Sequence, residues 1–383
     1  MADPGCWDMD GKESKVDVRF NPYRETGLYI AGPECFYTRG YDLWWAQRKL
    51  AEYHGFTVVL PTSTPLKLDH ADARMNAKEI FEDLKVQVAQ TTAIIADLEF
   101  FRGCEPDGGT VFEIGMIYAQ NGRCYGYTRD NRSMVHKNQA ARLHSGKVVD
   151  QQGWPHPYGD LPFCPSLIGS TKVVEGGFED CLKTLMQDID EARKNVGRRL
   201  QAMRAVAIDL PRSTRPRVFL SGPQRYSSDA SAYYTHAKAR CSQLGLDALC
   251  PLDEVAGLPR VESADPYTLA AAQFDRCQTM VRNCDALIAD LSDFHGLEPN
   301  NDVSFECGLA FQLGKTVVGY MPDTRIMRER IPHYGEEQDS LDIYGNTVEN
   351  FNHPINLMFA CSMPILQGDF DEVIERASHV IAG

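Results

Sequence analysis

The sequence lacks most of the signals by which a chain declares its chemistry. Twelve cysteines are present, yet no two stand as CxxC, and the closest pair is Cys277 and Cys284. Cys104 and Cys124 stand alone like the rest, so zinc-ligand spacing is absent and the thiols read as reduced core residues. No metal or organic cofactor is expected. No apolar run approaches the ~18–20 residues needed to cross a bilayer, so no membrane partner is expected. The N-terminal MADPGCWDMDGKESK has no basic segment leading into an apolar core. It reads as a polar lead-in over residues 1–26, and the chain as cytoplasmic. No GxGxxG follows a strand, and neither GxxxxGK[ST] nor GxSxG occurs, which removes dinucleotide, P-loop and hydrolase-elbow readings. Basic residues are the minority, 39 against 53 acidic for a net charge of −14. Such a surface argues against a nucleic-acid partner.

What is present is repetition. LYIAGPECFY (28–37) is echoed by VFLSGPQRY (218–226), and IIADLEFFRGCEPDGGTVFEIG (94–115) by LIADLSDFHGLEPNNDVSFECG (287–308). RCYGYTRDNRSM (123–134) returns as TVVGYMPDTRIM (316–327). The register holds: Asp97 and Asp290, Glu113 and Glu306, and Asp130 and Asp323 are each 193 positions apart. The chain is a tandem duplication.

Each copy alternates apolar strands with helical stretches. LYIAG or VFLSG is followed by WWAQRKLAEYHG or YYTHAKARCSQLG, and FTVVLP or LDALCP by a helix near 73–90 or 266–283. AIIADL or ALIADL then leads through a loop into GTVFEIGMIYAQNG or VSFECGLAFQLGK, and RCYGYT or TVVGYM closes the series. That alternation predicts α/β architecture: two doubly wound parallel sheets, with ligands at the carboxyl ends of the strands. The expected units are 27–208 and 218–383, joined by DLPRSTRPR (209–217) after a charged helix, EDCLKTLMQDIDEARKNVGRRLQAM. The polar stretches 131–160 and 324–353 read as lids or partly disordered loops.

Chemistry concentrates in EPDGGTVFEIG, residues 105–115. A helix beginning near Gly108–Thr110 puts Glu113 close to its first turn, where backbone N–H groups favour an ionised carboxylate. An ionised, positioned glutamate with a second carboxylate, Asp107, nearby suits nucleophilic attack on an anomeric carbon. Gly32 and Pro33 after the first strand, and Gly108 and Gly109, let backbone approach a ligand closely, or simply form turns. Tyr41, Trp44 and Trp45 read as helix core more than as a base-stacking wall, and Arg102 and His295 as solvated loop residues.

AGP after the first strand, the FRG-EPD-GT-FE-G block before a helix, and HPINLMF (353–359) together resemble the nucleoside 2-deoxyribosyltransferase family over most of both repeats. The resemblance implies two flavodoxin-like domains packed as a pseudo-dimer. It also implies cleavage of the N-glycosidic bond of 2′-deoxynucleosides, with a small-molecule nucleoside and a free nucleobase as partners. Glu113 matches the family's nucleophile, Asp107 its substrate-contacting aspartate, and Tyr29 the tyrosine that orients the glutamate. Asn356 matches an asparagine supplied by a neighbouring subunit to hold the 5′ end of the sugar. Where the family reads the base with Asp or Asn, this chain has Leu84 and Cys277; Asp83 and Asp275 lie alongside, and Asp83 is the candidate base contact.

The copies have decayed differently. Repeat two has Phe219 at the tyrosine position and Asn300 at the aspartate position, while retaining Glu306; repeat one has PFCPSLIG (162–169), which puts Cys164 or Ser166 where Asn356 stands. One composite site of Tyr29, Asp107, Glu113 and Asn356 is expected, and replacing Glu306 should do little. Three functions remain open on these residues: base exchange, hydrolysis of a nucleoside 5′-monophosphate, and non-catalytic nucleotide sensing.

Overall fold

The computed structural model describes residues 21, 23–61, 66–138, 142–144, 146–155, 160–194, 208–335 and 340–382. The lead-in expected over 1–26 and the end of the charged helix, beyond residue 194, lie largely outside them.

The first half builds a five-stranded parallel sheet from β1 (Gly27–Ala31), β2 (Thr57–Val59), β3 (Ala93–Asp97), β4 (Arg123–Thr128) and β5 (Lys172–Glu175). The spatial order is β2-β1-β3-β4-β5. The second half repeats it with β6 (Arg217–Ser221), β7 (Asp247–Leu249), β8 (Ala286–Asp290), β9 (Thr316–Met321) and β10 (Ile365–Gln367), in the order β7-β6-β8-β9-β10. This 2-1-3-4-5 order is the flavodoxin-like one, whose ligand crevice opens where the order reverses, between the first and third strands. Both halves are therefore flavodoxin-like α/β domains.

Helices cover both faces: α1 (Gly40–Tyr53), α2 (Ala73–Ala89), α3 (Gly108–Ala119), α4 (Pro165–Ser170) and α5 (Phe178–Lys194) in the first half. The second half has α6 (Ala230–Gln243), α7 (Pro266–Asn283), α8 (Asn301–Gln312), α9 (Leu357–Ala360) and α10 (Phe370–Ala382). Helix starts follow local chemistry. Asp72 and Asp265 cap α2 and α7, their side chains accepting from Arg74 N at 3.0 Å and Thr268 N at 3.0 Å. Each cap satisfies an otherwise orphaned helix donor. Strand β3 is buried along its whole length, as a strand sandwiched between helix layers must be.

The halves meet through α3 and α8, both enclosed in one core that contains Phe112, Met116, Phe305 and Leu309. The two helix backbones touch. A Cβ on Gly115 would fall 2.3 Å from Phe305 O, and one on Gly308 1.9 Å from Phe112 O. The loops before these helices also join, in an antiparallel bridge between Gly103 and Gly296. The pseudo-dimer is a single packed body along this seam.

Two features depart from expectation. A fifth strand closes each sheet, after α4 and α9. The stretches 131–160 and 324–353 contain antiparallel ribbons (Arg142–His144 with Lys147–Val149, and His333–Tyr334 with Leu341–Asp342) and single helical turns at Met134–Lys137 and Met327–Arg330. No described helix is long and apolar enough to cross a membrane.

Candidate active site

Helix α3 starts at the carboxyl end of β3, and its capping residue is Asp107. One carboxylate oxygen, Oδ2, accepts from Thr110 N and Thr110 Oγ1, both at 2.7 Å. The other, Oδ1, is buried without a partner. About one and a half turns into the helix lies Glu113. From the interior strand β1, Tyr29 reaches it, its hydroxyl donating to Glu113 Oε1 at 2.6 Å. No other hydrogen bond reaches this carboxyl among the described residues, so Oε2 is unengaged.

A cavity of about 490 Å³ opens over these groups. Asp107, Gly109, Thr110, Glu113 and Gly32 line it from the first half; Thr347–Asn350, Phe351 and Asn356–Met358 line it from the second. Asn356 caps α9, its Oδ1 accepting from Met358 N at 2.9 Å. Its amide lies on Gly109: a Cβ there would sit 2.9 Å from both Oδ1 and Nδ2. Gly109 and Glu113 are four residues apart, on one face of α3 and one turn from each other. The acid of the first half and the amide of the second thus share one chamber, and Gly109 is a glycine because the amide occupies its side-chain space.

Burial dominates the electrostatics. Desolvation pushes Glu113 from 4.5 up to about 8; Asp107 and Glu34 add to the rise, while the Tyr29 hydrogen bond opposes it. The expectation of a dipole-stabilised carboxylate gives way here, since Glu113 is the sixth residue of α3 and the dipole acts within the first turn. Desolvation likewise raises Asp107, against its hydrogen bonds to Thr110 and the charge of Arg102. Glu298 and Glu349 are both pushed up to about 8, again chiefly by burial.

These carboxyls bind protons more tightly folded than unfolded, so their contribution to stability is complete below about pH 4.5 and is lost as pH rises through about 8. The surface aspartates held low, Asp130 and Asp323, have finished titrating well below that window. The transition temperature should therefore fall by roughly 5 °C or more between pH 5.5 and 8.5. Calorimetry across that range checks it, and Glu113→Gln should flatten the slope.

The other expected residues fall into place unevenly. Gly32 lines the cavity, and its missing side chain leaves room for Glu34, whose Oε2 would lie 1.9 Å from a Cβ there. Pro33 is buried in the turn behind it and does not line the chamber. Leu84 is at the wall, whereas Asp83 is partly buried and accepts from Gln87 on its own helix. Tyr41 is half exposed at the cavity edge, Trp44 is core that also reaches the lining, and Trp45 faces outward with Arg48 over its ring.

Arg102 and His295, expected as solvated loop residues, are instead buried, both with positive φ. Each crosses to the other half. Arg102 Nε donates to Asp342 at 2.8 Å and Nη2 to Thr347 O at 2.7 Å, fixing the start of the cavity wall. His295 Nδ1 pairs with Asp150 at 2.9 Å.

In the second half the equivalent chamber is filled. Arg225, at the position of Cys35, forms a two-pronged ion pair with Glu306 at 2.8 and 2.6 Å, and Ser221 Oγ donates to the same carboxylate at 2.5 Å. Glu306 is 1 % exposed. Asp302, at the position of Gly109, accepts from Ser166 N at 2.9 Å and from the Tyr226 hydroxyl. Cys164 occupies the N-cap position of α4, without a side-chain cap hydrogen bond, as Asn356 occupies that of α9, which makes it, rather than Ser166, the positional counterpart of the asparagine. Phe219 is core, and Asn300 caps α8 with its Oδ1 3.4 Å from Val303 N. Glu306 persists as the counter-charge of a buried arginine. The sequence signal was a charged residue two positions after the Gly-Pro turn, opposite a retained glutamate.

Residues 28–157 and 218–358 match the profile of the nucleoside 2-deoxyribosyltransferase family. Among solved structures, a 2-deoxyribosyltransferase from Leishmania mexicana is similar, 28% identical over 43% of this chain and 97% of its own, with a TM-score of 0.34. A 2-deoxyribosyltransferase from Bacillus psychrosaccharolyticus is 18% identical over 41% of this chain and 89% of its own, with a TM-score of 0.25. A conserved protein from Enterococcus faecalis V583 is 21% identical over 43% of this chain and 99% of its own, with a TM-score of 0.28. No curated protein matches the chain.

Proposed function

The chain belongs to the nucleoside 2-deoxyribosyltransferase family, and from that premise we propose that it exchanges the base of a 2′-deoxynucleoside through a covalent sugar ester at Glu113. The observation that carries this reading is the Tyr29–Glu113 pair facing a chamber completed by Asn356. Tyr29 holds Oε1 and leaves Oε2 to bond to C1′. As that bond forms, the C1′–N bond breaks and its electron pair departs with the base nitrogen, which takes up a proton. The incoming base attacks C1′, returns the pair to the carboxylate and gives up its own proton, so exchange is balanced without a redox partner or cofactor. Asn356 engages the far end of the sugar, and Leu84, Ile80, Leu66 and Leu68 give the base an apolar wall. Enclosure by the second half keeps water from the ester.

None of the described lining residues is Arg, Lys or His. A monophosphate would find no cation there, so the nucleoside reading is favoured over the nucleotide one.

Chromatography of a deoxynucleoside incubated with a different free base tests the proposal: a new nucleoside is expected. Free deoxyribose without a new nucleoside would make the chain a hydrolase, and no turnover would favour sensing. Asn356→Ala should lower kcat/KM by roughly 10–100-fold, the cost of one lost substrate hydrogen bond. Cys164→Ala, at the matching position of the filled chamber, should leave the rate unchanged in the same assay.

A further inference from the structure

One wall of the cavity is the run Thr347–Asn350 of the second half, and it contains a single carboxyl, Glu349. Glu349 Oε2 accepts from Leu357 N at 3.1 Å, which fixes the group beside Asn356, the preceding residue. No protein donor reaches Oε1 among the described residues. Charged and titratable neighbours face it from several elements: Asp107 at the cap of α3, Arg102 and Glu298 from the two joined loops, and the Cys35 and Cys361 thiols. The only cation in that set, Arg102, is already engaged by Asp342, Thr347 O and, at 3.5 Å, Glu298.

The placement of a sugar follows from α3. An anomeric carbon at Glu113 leaves the 5′ arm of the ring directed along the helix face, toward the amide resting on Gly109 one turn of about 5.4 Å away. The polar end of the chamber is therefore built from Asn356, Asp107 and Glu349, and the apolar end is left for the base.

We propose that Glu349 sharpens this site's preference for sugars with an uncharged 5′ hydroxyl, adding charge repulsion against the corresponding 5′-phosphates to the penalty set by the missing cation. The inference rests on the reading that Glu113 attacks the sugar and Asn356 receives its far end. A hydroxyl is satisfied in either state of the carboxyl. Burial holds Glu349 up to about 8; below that the protonated group both donates and accepts, and above it the carboxylate accepts. A phosphate monoester brings two negative charges that no cation meets, which is costly in a desolvated chamber. Once Glu349 ionises, the phosphate also faces like charge, and such a contact is an element of discrimination in its own right.

The test is kcat/KM for a 2′-deoxynucleoside and for its 5′-monophosphate, each with the same acceptor base, at pH 7 and pH 9. The parent chain should favour the nucleoside by about 10³-fold, and by more at pH 9 than at pH 7. Glu349→Gln keeps the acceptor for Leu357 N; at pH 9 it should narrow the preference by about 10-fold. Glu349→Lys should raise the monophosphate rate about 10-fold or more at both pH values, since it supplies the missing cation. A ratio between two substrates on one protein is insensitive to partial unfolding, so a less stable variant still gives an answer. A parent chain that uses both substrates equally, or a ratio unmoved by both substitutions, would overturn the inference alone. A parent chain that turns over neither would overturn the catalytic reading and this inference with it.

Discussion

Glu113→Gln should lower turnover by roughly 10⁴-fold or more, because it removes the atom that bonds to the sugar. The amide has nearly the shape of the carboxyl and can still accept from Tyr29, so the fold has no reason to suffer. At pH 8 the variant should melt no lower than the parent, since a desolvated carboxyl held up to about 8 has been replaced by a neutral group. The parent rate should climb with pH toward about 8 as Glu113 ionises, and any residual rate in the variant should lack that limb. Initial rates with a deoxynucleoside and an excess of acceptor base, from pH 6 to 9, measure both. A variant that retains a tenth of the parent rate would place the nucleophile elsewhere.

Glu306→Ala should be strongly damaging although it lies outside the cavity, with the damage to stability instead of chemistry. It leaves Arg225 buried and unpaired; breaking a buried pair from one side costs about 3–5 kcal/mol. The expectation that replacing Glu306 does little holds for turnover and does not extend to stability. Arg225→Met combined with Glu306→Gln removes both charges and should recover most of the loss, giving a coupling of about 3 kcal/mol between the two sites. Denaturant unfolding of Arg225→Met, Glu306→Gln and the double closes that cycle. At a temperature where Glu306→Ala remains folded, its kcat should match the parent, because Arg225 and Ser221 already occupy the carboxylate. Additive losses in the cycle would mean that the ion pair is incidental to the second half.

The repeats, their 193-residue register and the strand–helix alternation carry the architecture, because a duplicated buried strand such as IIADL or LIADL is unmistakable in an apolar-rich window. Tyr29, Asp107, Glu113 and Asn356 were readable as a group, and the structure gathers them around one chamber. Strands β5 and β10 were not, being three or four residues long and following irregular chain. Arg102 and His295 looked like ordinary loop residues because their partners, Asp342 and Asp150, lie 240 and 145 positions away. No local pattern reports a contact of that span. The protonation of Glu113 departs from expectation for a related reason: helix position can be counted from sequence, whereas desolvation depends on what the second half places over it. Arg225 stands in QRY, which differs from ECF at all three positions, and nothing local singles it out; its meaning depends on Glu306, on a different element.

The structure separates two fates of one ancestral pocket. In the first half a glycine, a cysteine and an open carboxyl leave space, and the second half lends an amide. In the second half an aspartate, an arginine and a saturated carboxylate take that space up. Asymmetry of this kind requires both halves for one site, and it makes Gly109 a sensitive position, since any side chain there meets the Asn356 amide.

The number and address of sugars captured per chain tests this account most directly. Acid quenching during turnover of a 2′-deoxynucleoside, followed by intact-mass and peptide analysis, should find at most one deoxyribosyl group per chain, on the peptide containing Glu113. Two groups per chain, or one on the peptide containing Glu306, would contradict it.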